Sequence, residues 1–237
     1  MKPHFLLILF LFLPAGLFAG SLDHNIIDTP KAYVPYRGDL SFGFSVYDGG
    51  GILTSTSLSV SDYALLGIYF DAGNFIGDER VSVSPPGVIA RFLITEGTYA
   101  FPAVALGWSY FMKGEAAKVD DTIVSGVYLA VSHRFYMFGN EQNFSYGARY
   151  PVVPLDRSDP ENFSVFLGTD IEFSPAFSIQ GEVENIRFVR DGWETVFYNF
   201  GFSFSMVEMV TLKLEFKYSP SIDDLVRHLT VGYHTQF

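Results

Sequence analysis

The chain has 237 residues, no cysteine, 15 Lys+Arg against 26 Asp+Glu, and is 49% hydrophobic and 17% aromatic. It is too apolar and aromatic for a disordered chain and too short for more than one or two domains. The absence of thiols excludes a disulfide scaffold, a Cys-ligated metal and a Cys-linked lipid anchor. A formal charge of −11 argues against nucleic acid as a partner.

Met1-Lys2-Pro3-His4 is a short basic start, followed by an unbroken apolar run from Phe5 to Leu13. Pro14-Ala15-Gly16 breaks that run, and Leu17-Phe18-Ala19-Gly20 offers small residues for cleavage. This is the layout of a secretory signal over residues 1–19, cut after Ala19. The run is too short for a membrane anchor, since a spanning helix needs about 20 apolar residues. Residues 20–37 read as a periplasmic N-terminal segment and residues 38–237 as the folded body. No later stretch is long and apolar enough for a helical span, so a chain this apolar is either globular and secreted or a membrane barrel.

Period-two alternation decides between them. It begins at Leu40-Ser41-Phe42-Gly43-Phe44-Ser45-Val46 and recurs along the chain. In 124–132, Val127, Leu129 and Val131 share one face. In 162–172, Phe163, Val165, Leu167, Thr169 and Ile171 do. The clearest case is 210–218, where Val210, Leu212, Leu214, Phe216 and Tyr218 alternate with Thr211, Lys213, Glu215 and Lys217. Such alternation means strand. Twelve strands are expected, near 38–47, 51–60, 63–71, 87–95, 101–112, 123–134, 143–150, 162–172, 177–186, 196–205, 209–218 and 228–237, with ten or fourteen as alternative counts. No helix is expected.

The connections alternate in length. Tight links are expected at 61–62, 96–100, 173–176 and 206–208, with a longer one at 135–142. The other set is 72–86, 113–122, 151–161, 186–195 and 219–227, with only Asp48-Gly49-Gly50 tight. Short turns at one rim and long loops at the other fit an all-β, antiparallel, up-and-down transmembrane barrel with both ends on the periplasmic side. Trp108, Tyr110, Tyr146, Tyr150, Tyr198, Tyr218 and Tyr233 fall on the apolar face, several near strand ends, as interfacial girdles require. The opposite face is mostly Gly, Ser, Ala and Thr, which suits a wall curved around a limited lumen and not the charged outside of a soluble sandwich.

Few charges fall on the inner face. The basic ones are Arg91, Arg149, Lys213 and Lys217, the acidic ones Asp170, Glu172, Glu182, Glu184 and Glu215, and His234 joins them. Hairpin registers put Glu182 near the level of Asn199 and Lys217. Two readings follow. The charges form internal ion pairs that partly fill the barrel, or Glu182, Glu184, Asp170 and Lys217 line a narrow path that selects small solutes. Twelve strands leave an interior between a filled and an open one, with a backbone radius of about 12 Å.

An enzyme reading fails on geometry. A lipid hydrolase on such a barrel needs Ser and His on one face. Ser132 and His133 are adjacent and so point to opposite faces, and His234 has no serine two positions away. Asp120-Asp121 and Asp223-Asp224 read as solvated loop acids, so no metal or cofactor is expected.

The final strand, with Leu229, Val231, Tyr233 and terminal Phe237 on one face, resembles the C-terminal recognition strand of bacterial outer-membrane barrels. That resemblance implies the barrel-assembly machinery and outer-membrane lipid as partners. Gly50-Gly51-Ile52-Leu53, Tyr69 to Gly77, Pro86 to Phe92 and Phe101 to Gly107 resemble YjbH-type, exopolysaccharide-associated barrels over about a quarter of the chain. This implies a role in envelope biogenesis or glycan export and carries over no functional residue. The expectation is a non-enzymatic outer-membrane barrel, either a narrow porin-like channel for small polar solutes or a structural envelope protein. The alternatives are an accessory barrel in exopolysaccharide biogenesis and an adhesin acting through acidic loops such as 151–161.

Overall fold

The computed structural model describes residues 24–110, 125–137, 139–150, 163–187, 196–207, 209–220 and 224–237. The signal sequence, the loops 113–122 and 151–161, most of 186–195, Asp120-Asp121 and Asp223 lie outside them.

All twelve expected strands are present. They are β1 (Asp39–Tyr47), β2 (Gly51–Ser61), β3 (Ala64–Gly73), β5 (Gly87–Thr95), β6 (Ala103–Tyr110), β7 (Gly126–Met137), β8 (Asn140–Tyr150), β9 (Ser164–Ser174), β10 (Phe177–Arg187), β11 (Phe197–Val207), β12 (Val210–Ser219) and β13 (Asp224–Gln236). A two-residue strand, β4 (Ser82–Val83), lies in the loop after β3 and pairs only with it. Each long strand pairs antiparallel with its sequence neighbour, and β1 pairs with both β2 and β13. The sheet therefore closes as a twelve-stranded barrel with no free edge.

Two boundaries differ from expectation. The β7–β8 link, expected as 135–142, shrinks to the two positions between Met137 and Asn140, because Phe135 pairs with Gln142 and Tyr136 with Glu141. Gly139 takes the positive φ of 84° that so tight a turn needs. The last strand starts at Asp224 because Lys217, Tyr218 and Ser219 continue the ladder against Val226, Leu225 and Asp224. The short links share the rim where β1 begins and β13 ends, and the long ones share the opposite rim.

The two faces are inverted relative to a protein folded in water. On β11, Tyr198, Phe200 and Phe204 are about 43–45% exposed, while Asn199 and Ser203 are nearly fully buried. On the last strand Leu229, Val231 and Tyr233 are exposed and His228 is buried. A continuous outward belt of large apolar side chains around a polar interior has a favourable home only in hydrocarbon. Trp108, Tyr150, Tyr198 and Tyr218 sit on that belt near the long-loop rim. Phe173, Phe177 and Phe204 cluster at the other rim, with ring centroids 6.0 and 5.1 Å from Phe177.

Inside, small residues make room for rings. Gly107 pairs with Tyr128 and Gly147 with Phe166. A Cβ on Gly107 would fall 2.1 Å from the Tyr128 ring, so the glycine lets the ring lie flat on the wall. The seam between the first and last strands depends on Gly38, whose φ is 85°. Its carbonyl accepts the Phe237 amide at 3.2 Å, and an added Cβ would sit 2.3 Å from the Phe237 carbonyl oxygen. Gly38→Ala is therefore expected to lose about 2 kcal/mol through left-handed backbone strain and a parted seam. Heat-modifiable migration on SDS gels should show a lower unfolding temperature, and an unchanged one would contradict this view of the seam.

Candidate functional site: the lumen and its hairpin

Of residues 20–37, expected as a periplasmic lead-in, those from His24 to Ala32 run inside the barrel, while Tyr36 and Arg37 are exposed at its rim. Ile26, Thr29 and Ala32 are completely buried there. Asn25 and Pro30 face each other as an antiparallel bridge. The Ile26 amide donates to the Thr29 carbonyl at 2.9 Å and the Lys31 amide to the His24 carbonyl at 3.0 Å, so Ile27-Asp28 form the tip of a hairpin. Pro30 occupies a position in this ladder where no donor is required.

One buried carboxylate gathers the tip. Glu182 accepts from the Ile27 amide at 3.1 Å, the Asp28 amide at 2.9 Å and the Thr29 amide at 2.8 Å. Consecutive amides converging in this way form an anion-binding nest. Asn199, which faces Glu182 across the sheet, donates to it at 2.7 Å. Glu184 accepts from the Thr29 hydroxyl at 2.8 Å and pairs with Arg149 at 2.8 Å. Lys31 pairs with Asp170 at 2.9 Å, and Lys217 pairs with Asp28. Lys213 donates to the Ile26 carbonyl at 3.2 Å. Arg91 donates to the His24 carbonyl at 2.7 Å, to Asn25 Oδ1 at 2.9 Å and to the Tyr128 hydroxyl at 3.1 Å. The Ala32 amide donates to the Ser132 hydroxyl at 2.7 Å.

Apolar contacts complete the seat. Ala32 packs with the inward alanines Ala103, Ala105 and Ala130 and with Tyr128 and Phe166. The glycines of the wall accommodate the tip, since a Cβ on Gly168 would come 2.9 Å from Ile26 Cδ1 and one on Gly201 3.3 Å from Ile27 Cδ1. The Arg134 guanidinium lies over the Tyr33 ring at 3.7 Å where the segment leaves the lumen.

The expected inner-face charges are thus brought together, with a different partner for several. Glu182, Asn199 and Lys217 share a level, as the registers imply. However, Lys217 pairs with Asp28 of the hairpin, and Glu182 is satisfied by backbone amides and Asn199. Arg91, Asp170 and Lys213 also bind the hairpin directly, and Arg149 does so through Glu184. Glu215 is buried opposite His228, His234 lies opposite Ser41, and Glu172 is half-buried on β9. Sequence reasoning misses His24, Asn25, Asp28, Thr29 and Lys31. The available signal is the concentration of Asp170, Glu182 and Glu184 on two neighbouring strands, which calls for donors from outside the sheet. Ser132 is fully buried in the lumen, while His133 lies outside beside Phe135 at 6.4 Å, so the two are on opposite faces as expected.

The hairpin leaves space on one side. A cavity of ≈ 220 Å³ lies between it and the wall, chiefly β1, β2, β12 and β13, with Tyr69, Tyr128 and Arg149 also reaching it. Serine and threonine hydroxyls recur along this wall. Ser41 and Ser57 are 2.6 Å apart, as are Ser45 and Thr230. His24 contacts Ser41 at 2.8 Å and also Ser57. The lining extends from Lys217 and His228 toward the long-loop rim to Thr211 and His234 toward the other.

No family model and no curated protein matches the chain. The fold matches solved structures. The chain is similar to a KdgM porin with a TM-score of 0.50 at 10% identity, covering 82% of this chain and 98% of that one. It is similar to the outer membrane protein Omp33 of Acinetobacter baumannii with a TM-score of 0.50 at 10% identity, covering 85% and 98%. The resemblance of Gly50 to Trp108 to YjbH-type barrels rests on the sequence alone. What the solved structures share with this chain is the architecture: a closed antiparallel β-barrel of porin type.

Proposed function

We propose that the chain is an outer-membrane channel for small polar solutes, its lumen narrowed by the N-terminal hairpin. Its outer belt of exposed aromatic and aliphatic side chains supports a place in lipid, and its porin-type fold supports a pore over an enzyme. The cavity beside the hairpin carries the reading. Its wall of serine and threonine hydroxyls, with Lys213, Glu215 and Lys217, offers hydrogen bonds to a hydrated solute in place of an apolar plug. A purely structural barrel has no need of a hydroxyl-lined space running along its interior.

The test is single-channel recording of the detergent-purified protein in planar bilayers. The intact protein should give small, stable steps. Deleting residues 24–35 should raise the step size severalfold, because the hairpin stands inside the lumen. Silence from the intact protein with large steps from the deletion would make the hairpin a complete seal and overturn passage in this state. Silence from both would overturn the channel.

A further inference from the structure

The hairpin fits the wall of β8 to β11 well at one level and poorly at the next. At the level of Glu182 both carboxylate oxygens meet donors. One inward step along β10, toward the short-link rim, the registers place Asn143, Asp170 and Gln180 side by side on β8, β9 and β10. All three are nearly or completely buried. Among the described residues a single hairpin donor reaches this row, the Lys31 ammonium on Asp170 Oδ2 at 2.9 Å. We propose that the row is a subsite for a primary ammonium group of the solute, which Lys31 occupies as a tethered stand-in. This rests on the channel reading above.

The row holds more acceptors than Lys31 satisfies. Asn143 Oδ1, Asp170 Oδ1 and Gln180 Oε1 have no hydrogen-bond partner among the described residues, and neither has Gln180 Nε2. Leaving such groups buried and unpaired costs free energy, so native walls seldom carry several together. The Gln180 carboxamide lies toward Gly201, its facing residue on β11. A Cβ on that glycine would come 3.5 Å from Gln180 Oε1 and 3.3 Å from Ile27 Cδ1. The hairpin thus meets this amide with an apolar side chain, where the wall calls for a polar one. An ammonium carries three N–H donors and no acceptor. It is the complement of a row that presents one carboxylate and two amide oxygens.

The surrounding charges favour a cation. Glu182, about 7 Å further along the wall, is held by backbone amides and the Asn199 carboxamide, all of them neutral. Arg134 of β7 faces Asn143, but its guanidinium pairs with Glu141 at 3.5 Å and covers the Tyr33 ring. Arg149 is committed to Glu184. The cavity brings a solute to the other side of the hairpin, where Ile27, Asp28 and Pro30 line it. An ammonium that takes Asp170 deprives the hairpin of its Lys31 anchor, so binding and displacement are linked and each favours the other. Amine-bearing solutes are thereby the class that loosens the hairpin standing in their path.

The experiment is hydrogen exchange of the detergent-solubilised full chain in two salts. Butylammonium chloride supplies the lysine side chain without its backbone, and tetramethylammonium chloride a cation with no N–H. Both are used at about 0.1 M, well above the millimolar local concentration of a tethered side chain. The Lys31 and Ala32 amides, bonded to the His24 carbonyl and the Ser132 hydroxyl, report the arm beside the row. Their exchange should be about tenfold faster in butylammonium, the mass-action result for a ligand at about ten times its dissociation constant. Amides of β9 and β10 should not respond. Gln180→Met keeps the Lys31–Asp170 pair and should cut the difference to about threefold or less. Asp170→Asn should erase it. Equal exchange of the unmodified protein in the two salts overturns the inference, and is the outcome if water alone satisfies the row. A folded Gln180→Met protein that keeps the full difference overturns it as well. Should Asp170→Asn not fold, the unmodified protein and Gln180→Met still decide. The readout needs no conductance, so the expected difference together with silent bilayers removes the channel and upholds the ammonium subsite.

Discussion

Glu182→Ala is expected to unseat the hairpin without dismantling the barrel. The carboxylate is nearly fully buried and receives three consecutive hairpin amides and the Asn199 side chain. Truncation leaves the three amides without their acceptor, and it leaves the tip to Lys217, Lys213, the Asn199–Asp28 contact and the Thr29–Glu184 bond. Breaking a buried charged network of this kind costs about 3–5 kcal/mol, so hairpin and lumen wall should separate in a large share of molecules. The strand ladders do not pass through this side chain and should persist. Hydrogen exchange at Ile27, Asp28 and Thr29 should accelerate by orders of magnitude, and Lys31 should become a trypsin site in detergent-solubilised protein. Amides in β9, β10 and β11 should keep their protection. Equal loss of protection in those strands would mean that the carboxylate supports the wall and not the hairpin.

The second large effect is on the outer face. Phe200→Arg places a guanidinium at the middle of β11, where Phe200 is exposed between Gly181 and Phe216 of the neighbouring strands. If the exposed belt meets acyl chains, this costs about 2–4 kcal/mol at mid-depth. Urea-dependent folding into lipid vesicles should register a loss of that size. The same change at Arg134's neighbour Phe135, near the rim, should cost far less, because the penalty falls toward the interface. Equal penalties at both positions, or none, would contradict a membrane setting for the belt.

Much of the wall is legible in the sequence, because a sheet with lipid on one side and polar side chains on the other imposes strict alternation. In 210–218 the alternation is so regular that strand, faces and the level of Lys217 all follow. The glycine-rich turn at Asp48-Gly49-Gly50 is equally readable, since Gly49 and Gly50 both take positive φ. The β7–β8 turn is less so. Phe135 to Gln142 carries mixed side chains on both faces near the rim, where the distinction between lipid and lumen fades. The hairpin leaves almost no local signal. Its six central residues are too few for any period to show, and Ile26 and Ile27 are consecutive, so they cannot mark one face of a strand. Its existence is encoded at a distance, in three wall acids with too few cations on adjacent strands and in glycines at 168 and 201 that face apparently empty space. A sequence gives residue types at inner positions, while the partner that meets them comes from more than a hundred residues away.

The hairpin runs without interruption through Gly38 into β1, and β1 is locked on both sides. A dislodged hairpin therefore stays on a leash of about fourteen residues, reaching at most about 50 Å. Return to the seat is a unimolecular event at a local concentration of the order of millimolar. Opening would be brief, reversible and independent of how much protein the membrane holds.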